Sequence, residues 1–289
     1  MENIILSTDS ICDLPKEFLH KYNVHITPLH VILGEDDYLD GLNIKPTDLF
    51  DYYDKYGILP KTTAIAPGEY VKYFKEMKKG NEDAHILHFT IGSAISACFQ
   101  NANIAKEEIS NLHVIDTKNV SGGSGFALLE AIELLEEGYE LDEVIKRVRA
   151  LVENVVTVFV PESLRYMESG GRIPKGTTSG TDLLKIKVRL RIKPEDNGQI
   201  RPDKIYRGNF DRAIKKLIKD ILKDKDRMYK SRVIATGAKP IFTDPDFQHM
   251  VESSLKEAGV KEVIFEEVGC VISSHCGPNT LGLQYVLEH

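Results

Sequence analysis

Five short segments hold the residue types best suited to chemistry. "SSHCGPNTLG" (Ser273 to Gly282) sets His275 beside Cys276, followed by Gly277 and Pro278. A cysteine nucleophile needs a base within hydrogen-bond reach. Neighbours in an extended segment point to opposite sides, so this adjacency argues against a dyad. A thiol ahead of Gly-Pro at a helix start would still have a lowered pKa, which leaves Cys276 as a reactive group or buried filler. His275 reads as structural or as an anion contact, because a helix N-terminus attracts anions and a cationic imidazole would add to that pull. "KTTAIAPGEY" places Thr62 and Thr63 ahead of Pro67. Their hydroxyls either satisfy the loop backbone or bond a ligand oxygen. "FTIGSAISACFQ" puts Ser93 and Ser96 at a strand-to-helix turn, the carboxyl end of a strand, where open α/β sheets bind ligands. Ser93 is an N-cap or a donor to a carboxylate; the run lacks the second glycine of a G-x-S-x-G nucleophile elbow. "ESGGRI" offers Arg172 after two glycines, either as a fixed fork of donors or as a surface residue past a helix end. In "LLKIKVRLRIK", Lys185, Lys187, Arg189, Arg191 and Lys193 alternate with apolar residues. That is a half-solvated strand, or a docking face for an acidic partner or for transient contact with an anionic membrane surface.

Other chemistries find little support. Net charge is -7, which gives no global pull toward nucleic acid, and the basic strand has no interleaved aromatics to stack bases. There is no H-E-x-x-H, Walker or dinucleotide fingerprint, so neither metal nor cofactor is expected. "SGGSG" (Ser121 to Gly125) lacks the lysine of a phosphate loop and reads equally as a site of close packing. The four cysteines form no C-x-x-C pair, which suits a reduced, cytoplasmic protein. No apolar run is long enough to span a membrane, and "MENIILSTDS" has no basic n-region. The last residues, 287–289, resemble the remnant of a vector-encoded tag.

These residues need a scaffold. From "NIILSTDS" to "ALVENV", strands and amphipathic helices alternate, which predicts a parallel sheet with helices on both faces. "VHITPLHVIL" reads as one strand and "GEDDYLDG" as a turn-rich connection. Asp9 or Asp13 is a candidate cap for a short helix with Pro15 in its first turn. "SAISACFQNANIAKEEI" reads as a helix. Beyond "VVTVFVPESL" the alternation breaks down. "LLKIKVRLRIK" and "IRPDKIYRG" read as a hairpin, and "GPNTLGLQYV" as a closing helix opened by Gly277 and Pro278. The expected domains are 1–157 and 158–286.

Taken in order, "STDSICDLP", "KTTAIAPGEY", "TIGSAISACFQNA", "VIDTKNVSGGSGFALLEA", "LRYMESGGRI", "LLKIKVRL" and "SSHCGPNTLGL" resemble the DegV family of fatty-acid-binding proteins. The resemblance implies a two-domain α/β fold: an N-terminal three-layer α/β/α domain and a C-terminal α/β domain with a mixed sheet. It implies a long-chain fatty acid held between them, acyl chain buried and carboxylate near the surface. It also implies a partner, the ATP-binding subunit of a fatty acid kinase, which phosphorylates that carboxylate. The family's carboxylate contacts fall on Thr62, Thr63, Ser93, Arg172 and His275. Departures, such as Ala64, Ile65 and Ala66 where the family has Q-P-S, make the walls more apolar. Burying about 14 methylenes yields a gross gain of roughly 11 kcal/mol at ~0.8 kcal/mol each, while the carboxylate needs only pairing. The competing reading is a stand-alone hydrolase of acyl or phosphate esters using Ser93 or Cys276.

Overall fold

The computed structural model describes residues 3–178 and 186–288. In chain order the elements begin β1 (Ile4–Asp9), α1 (Lys16–Lys21), β2 (His25–Thr27), β3 (His30–Leu33), β4 (Asp36–Leu39), α2 (Pro46–Tyr56), β5 (Lys61–Thr63), α3 (Pro67–Met77) and β6 (His85–Thr90). They continue with α4 (Cys98–Ala105), β7 (Leu112–Asp116), α5 (Gly122–Glu136), α6 (Leu141–Val152), β8 (Val155–Pro161), α7 (Arg165–Ser169), β9 (Ile186–Ile192) and β10 (Arg201–Arg207). The chain closes with α8 (Phe210–Ile221), β11 (Arg232–Gly237), α9 (Pro245–Glu257), β12 (Glu262–Glu267), α10 (Cys270–Cys276) and β13 (Thr280–Val286).

The first half is built on the four-stranded sheet β2-β1-β6-β7, parallel throughout. Side chains alternate across a strand, so Leu6, Leu87, Phe89 and Ile115 face α5 and α6, while Ile86 and Val114 face α3 and α4. This is the expected three-layer domain. A small antiparallel sheet, β4-β3-β5, extends it. Pro28 splits the segment expected to be one strand, because it cannot donate to a ladder; β2 and β3 end up in different sheets. The expected turn "GEDDYLDG" supplies β4, which pairs with β3 around Gly34.

The second half is a mixed six-stranded sheet, β10-β9-β8-β13-β11-β12, with β8 antiparallel to both β9 and β13. The change of sheet falls between α6 and β8. The hairpin β9–β10 forms as expected, with a register shift between Pro202 and Lys204. The segment "GPNTLGLQYV" is strand β13, not a helix. Leu281, Leu283 and Tyr285 alternate into the core under α8 and α9, and that period of two prevails over the Gly-Pro start signal. Gly277 instead ends the preceding helix, α10.

The opposite face of this sheet looks toward the first domain, and α5 lies between the two sheets. Its first turn approaches so closely that a Cβ on Gly122 would stand 2.6 Å from Ile234, and one on Gly123 2.2 Å from Asn119. "SGGSG" is therefore a site of close helix–sheet packing. Ser121, just before α5, is held at φ 55°, a costly region for a residue with a side chain.

Candidate functional site

Helix α10 belongs to the second half of the chain but packs into the first domain. Cys270 and Val271 join the core beside β3, α3 and α4. Two buried aspartates hold its start. Gly269 N donates to Asp13 Oδ1 (3.0 Å) and Cys270 N to Asp40 Oδ1 (2.8 Å). Acceptors suit the unpaired N–H groups of a helix start. Burial pushes the Asp13 carboxyl up to about 8, despite its bonds to Ser121 and Gly269. Neither Asp13 nor Asp9 caps α1, as the sequence suggested; Pro15 stands at its start, and Asp9 is buried in the sheet.

This arrangement sets the far end of α10 against β5. His275 Nε2 lies 2.8 Å from Thr62 Oγ1 although 213 residues separate them. His275 therefore sits at the C-terminal end of a helix rather than at the start of one, and no helix N-terminus assists it. The ring is also neutral. Burial, then the nearby Arg172 cation, lowers its pKa to about 3, so the cationic imidazole expected from sequence is absent. Its Nδ1 is buried without a partner, against Gly170, where a Cβ would stand 2.3 Å away. Arg172 Nη1 donates to Gly170 O (2.6 Å), which fixes the guanidinium beside the same turn.

Thr62, Thr63, Arg172 and His275 line one pocket of about 830 Å³, counted out to its open mouth. Its walls come from both domains and are mainly apolar, with Ile91, Ile95, Phe159, Met167, Val268 and Ile272 prominent. Thr157, Thr236 and Gln284 also line it. Ser93 is not among the lining residues. It is exposed, its Oγ donating to Asp116 Oδ2 (2.5 Å) and its N–H to Asp116 Oδ1 (3.0 Å). Ser96 from the same turn takes the place on the wall.

The nucleophiles of the hydrolase reading are poorly placed. Ser93 bonds a carboxylate, not an imidazole. Cys276 lines the pocket, but burial pushes its thiol up to about 12, so little thiolate exists at neutral pH. In the helix it does not point opposite His275, as an extended segment would require; the two are successive residues of one turn. Among the described residues, no group of three or more His, Cys, Asp and Glu could hold a metal ion, and no helix is long and apolar enough to cross a membrane.

The basic strand is largely neutralised within its own hairpin. Arg189 bonds Asp203 and Arg191 pairs with Asp196 (3.0 Å). Lys187 donates to Glu162 O, and Lys193 lies 3.5 Å from Glu195. Lys185 falls outside the described residues.

Reasoning from sequence missed Asp40, Asp116 and Gln284. Asp40 was hidden by the reading of its segment as a turn. Gln284 was hidden by the helix assigned to its strand, although it is the one amide in an otherwise apolar alternation, "LGLQYV".

The architecture is thus a three-layer domain facing a mixed sheet across an apolar pocket. The family model described as "Uncharacterised protein, DegV family" matches residues 3–288, and the chain belongs to that family. A DegV domain-containing protein of Clostridium acetobutylicum is 31% identical, with 100% of each chain covered. A protein of Thermotoga maritima named as a fatty acid-binding protein is 29% identical, with 95% of this chain and 94% of that one covered. Among solved structures, a DegV family protein from Thermus thermophilus described for its fatty acid binding superposes with a TM-score of 0.85 at 28% identity, covering 99% of both chains. A stearic acid-binding protein from Eubacterium ventriosum gives 0.81 at 26% identity, covering 100% of this chain and 99% of the other.

Proposed function

We propose that this protein binds a long-chain fatty acid between its two domains and presents the carboxylate to an ATP-dependent kinase partner. The observation that carries the reading is the pocket itself. It has apolar walls, with two hydroxyls, an imidazole and a guanidinium gathered on them, and no activated nucleophile beside them. An acyl chain needs only burial, and a carboxylate needs paired donors. Thr62, Thr63, His275 and Arg172 provide those donors. A carboxylate only accepts, so its arrival selects the His275 tautomer protonated on Nε2. Nε2–H then donates to the ligand or to Thr62, whose own hydroxyl proton turns to the ligand. Arg172 supplies the charge. Ser93 joins the clamp only by releasing Asp116.

The kinase step draws on the family resemblance. A cationic Arg172 beside the carboxylate would also stabilise charge on a transferring phosphoryl group. Native mass spectrometry of the purified protein, followed by solvent extraction, tests the binding step. A stoichiometric adduct of fatty-acid mass is expected. A bare polypeptide mass that stays unchanged after incubation with several fatty acids would overturn the reading. For presentation, Arg172→Lys at saturating fatty acid should lower acyl-phosphate formation by a supplied kinase although the lipid is retained; an unchanged rate would count against it.

A further inference from the structure

The wall formed by β13 carries a polar group that a plain acyl chain cannot serve. Gln284 is 1% exposed and lines the pocket. Its Nε2 donates to Thr236 Oγ1 (2.9 Å), and its Oε1 has no partner. Reversing the amide only exchanges the problem, since the –NH₂ would then be the unpaired end. Thr236 Oγ1 lies 3.1 Å from Ser121 Oγ, which lies 2.5 Å from Asp13 Oδ2. A buried hydrogen-bonded chain thus runs from the first domain to the pocket wall and stops at an unpaired amide. Thr157 stands directly across from Gln284 in the β8–β13 register, and its hydroxyl donates to Asn119 Oδ1 (2.6 Å). That leaves the Thr157 oxygen available as an acceptor. Either acceptor can receive the single proton of a ligand hydroxyl, which a methylene cannot supply.

We propose that this pocket selects a hydroxylated long-chain fatty acid, with Gln284 as the specificity-determining residue. The proposal rests on the fatty-acid reading above. A methylene chain laid across Gln284 leaves a buried polar atom unpaired, whereas a hydroxyl at that depth pairs it. The difference corresponds to roughly tenfold in affinity. Sites built to bond a hydroxyl discriminate strongly against the analogue without it.

The test is competition binding on delipidated protein, with stearic acid set against hydroxystearic acids substituted at different carbons. At least one isomer should bind about tenfold tighter than stearic acid. Gln284→Leu, with folding checked by circular dichroism, should bring that isomer within about twofold of stearic acid. If no isomer exceeds stearic acid, a bound water serves the amide instead; the proposal is then overturned while the fatty-acid reading stands. A preference that survives in Gln284→Leu would overturn the role of Gln284. Failure of every acid to bind would remove both readings. The comparison of acids on the unmodified protein does not depend on the variant folding.

Discussion

Two histidines, His88 and His275, show how similar partners can serve different ends. His88 lies on β6 with Ser7 and Asp9 of β1 on either side. Its Nδ1 is 3.0 Å from Ser7 Oγ and its Nε2 is 3.3 Å from Asp9 Oδ1, without the alignment of a hydrogen bond. The order Ser-His-Asp resembles a catalytic triad, yet all three residues are 0% exposed and line no described pocket. Asp9 is already taken by Tyr70 Oη (2.6 Å), Thr27 Oγ1 (3.1 Å) and Ile91 N (2.9 Å). His275 has a hydroxyl partner too, but no carboxylate, and it stands on the wall of a cavity. The first histidine ties strands together; the second stands on the pocket wall. Access and the missing carboxylate separate them, not residue type.

Replacing each histidine should break this comparison in opposite ways. His88→Ala should give the largest effect on stability, a loss of about 3 kcal/mol from the cavity and the stranded polar neighbours. Thermal unfolding of delipidated protein should fall by about 10 °C, while the folded fraction keeps its fatty acid. Unchanged melting would show that the buried network contributes nothing. His275→Ala should weaken fatty acid binding by roughly ten- to a hundredfold, as expected for a lost hydrogen bond to a charged group, with a smaller change in melting. Titration calorimetry would measure it; a large melting loss with unaltered affinity would make His275 structural like His88.

pH sharpens the contrast between His275 and the other end of its helix. The folded His275 pKa of about 3 lies below the 6.5 of the free side chain. Its contribution to stability is therefore complete above about 6.5 and is lost as pH falls toward 3. Asp13 runs the other way. Its folded pKa of about 8 lies above the ordinary 3.8, so its contribution is complete below 3.8 and is lost as pH rises toward 8. Asp13→Asn keeps an acceptor for Gly269 N and should flatten the stability profile between pH 4 and 8. Urea unfolding across that range would reveal it, and an unaltered slope would mean that Asp13 does not titrate there. The smallest effect belongs to Ser93→Ala, which should change fatty acid affinity less than about twofold, because the hydroxyl serves Asp116. A tenfold loss in the same binding assay would place Ser93 in the clamp after all.

Much of the scaffold was legible because local periodicity reports burial directly. The helix Phe210–Ile221 shows its apolar stripe in sequence, and the alternation of strands and helices through residue 152 predicts the three-layer domain. Type and setting left Thr62, Thr63, Ser93, Arg172 and His275 open candidates that the family resemblance singled out; all but Ser93 line one pocket. Where two local signals competed, reading the chain alone misled. Gly277-Pro278 looked like a helix start, but Leu281, Leu283 and Tyr285 bury as a strand. His275 looked cationic because sequence does not state how deeply a ring is buried or that a guanidinium stands beside it.

What the sequence determined by itself was the supply of parts: apolar stripes, a glycine run that permits close approach, and a few polar side chains in turn-rich segments. Tertiary structure alone decided which of them meet. Pairing Thr62 with His275 closes a loop of more than two hundred residues, and no local pattern encodes such a contact. It arises because Asp13 and Asp40 hold the start of one short helix from the second half of the chain inside the first domain. The charge state of His275 and the unpaired amide of Gln284 follow from that packing, since both depend on what surrounds the group rather than on what precedes it in the chain.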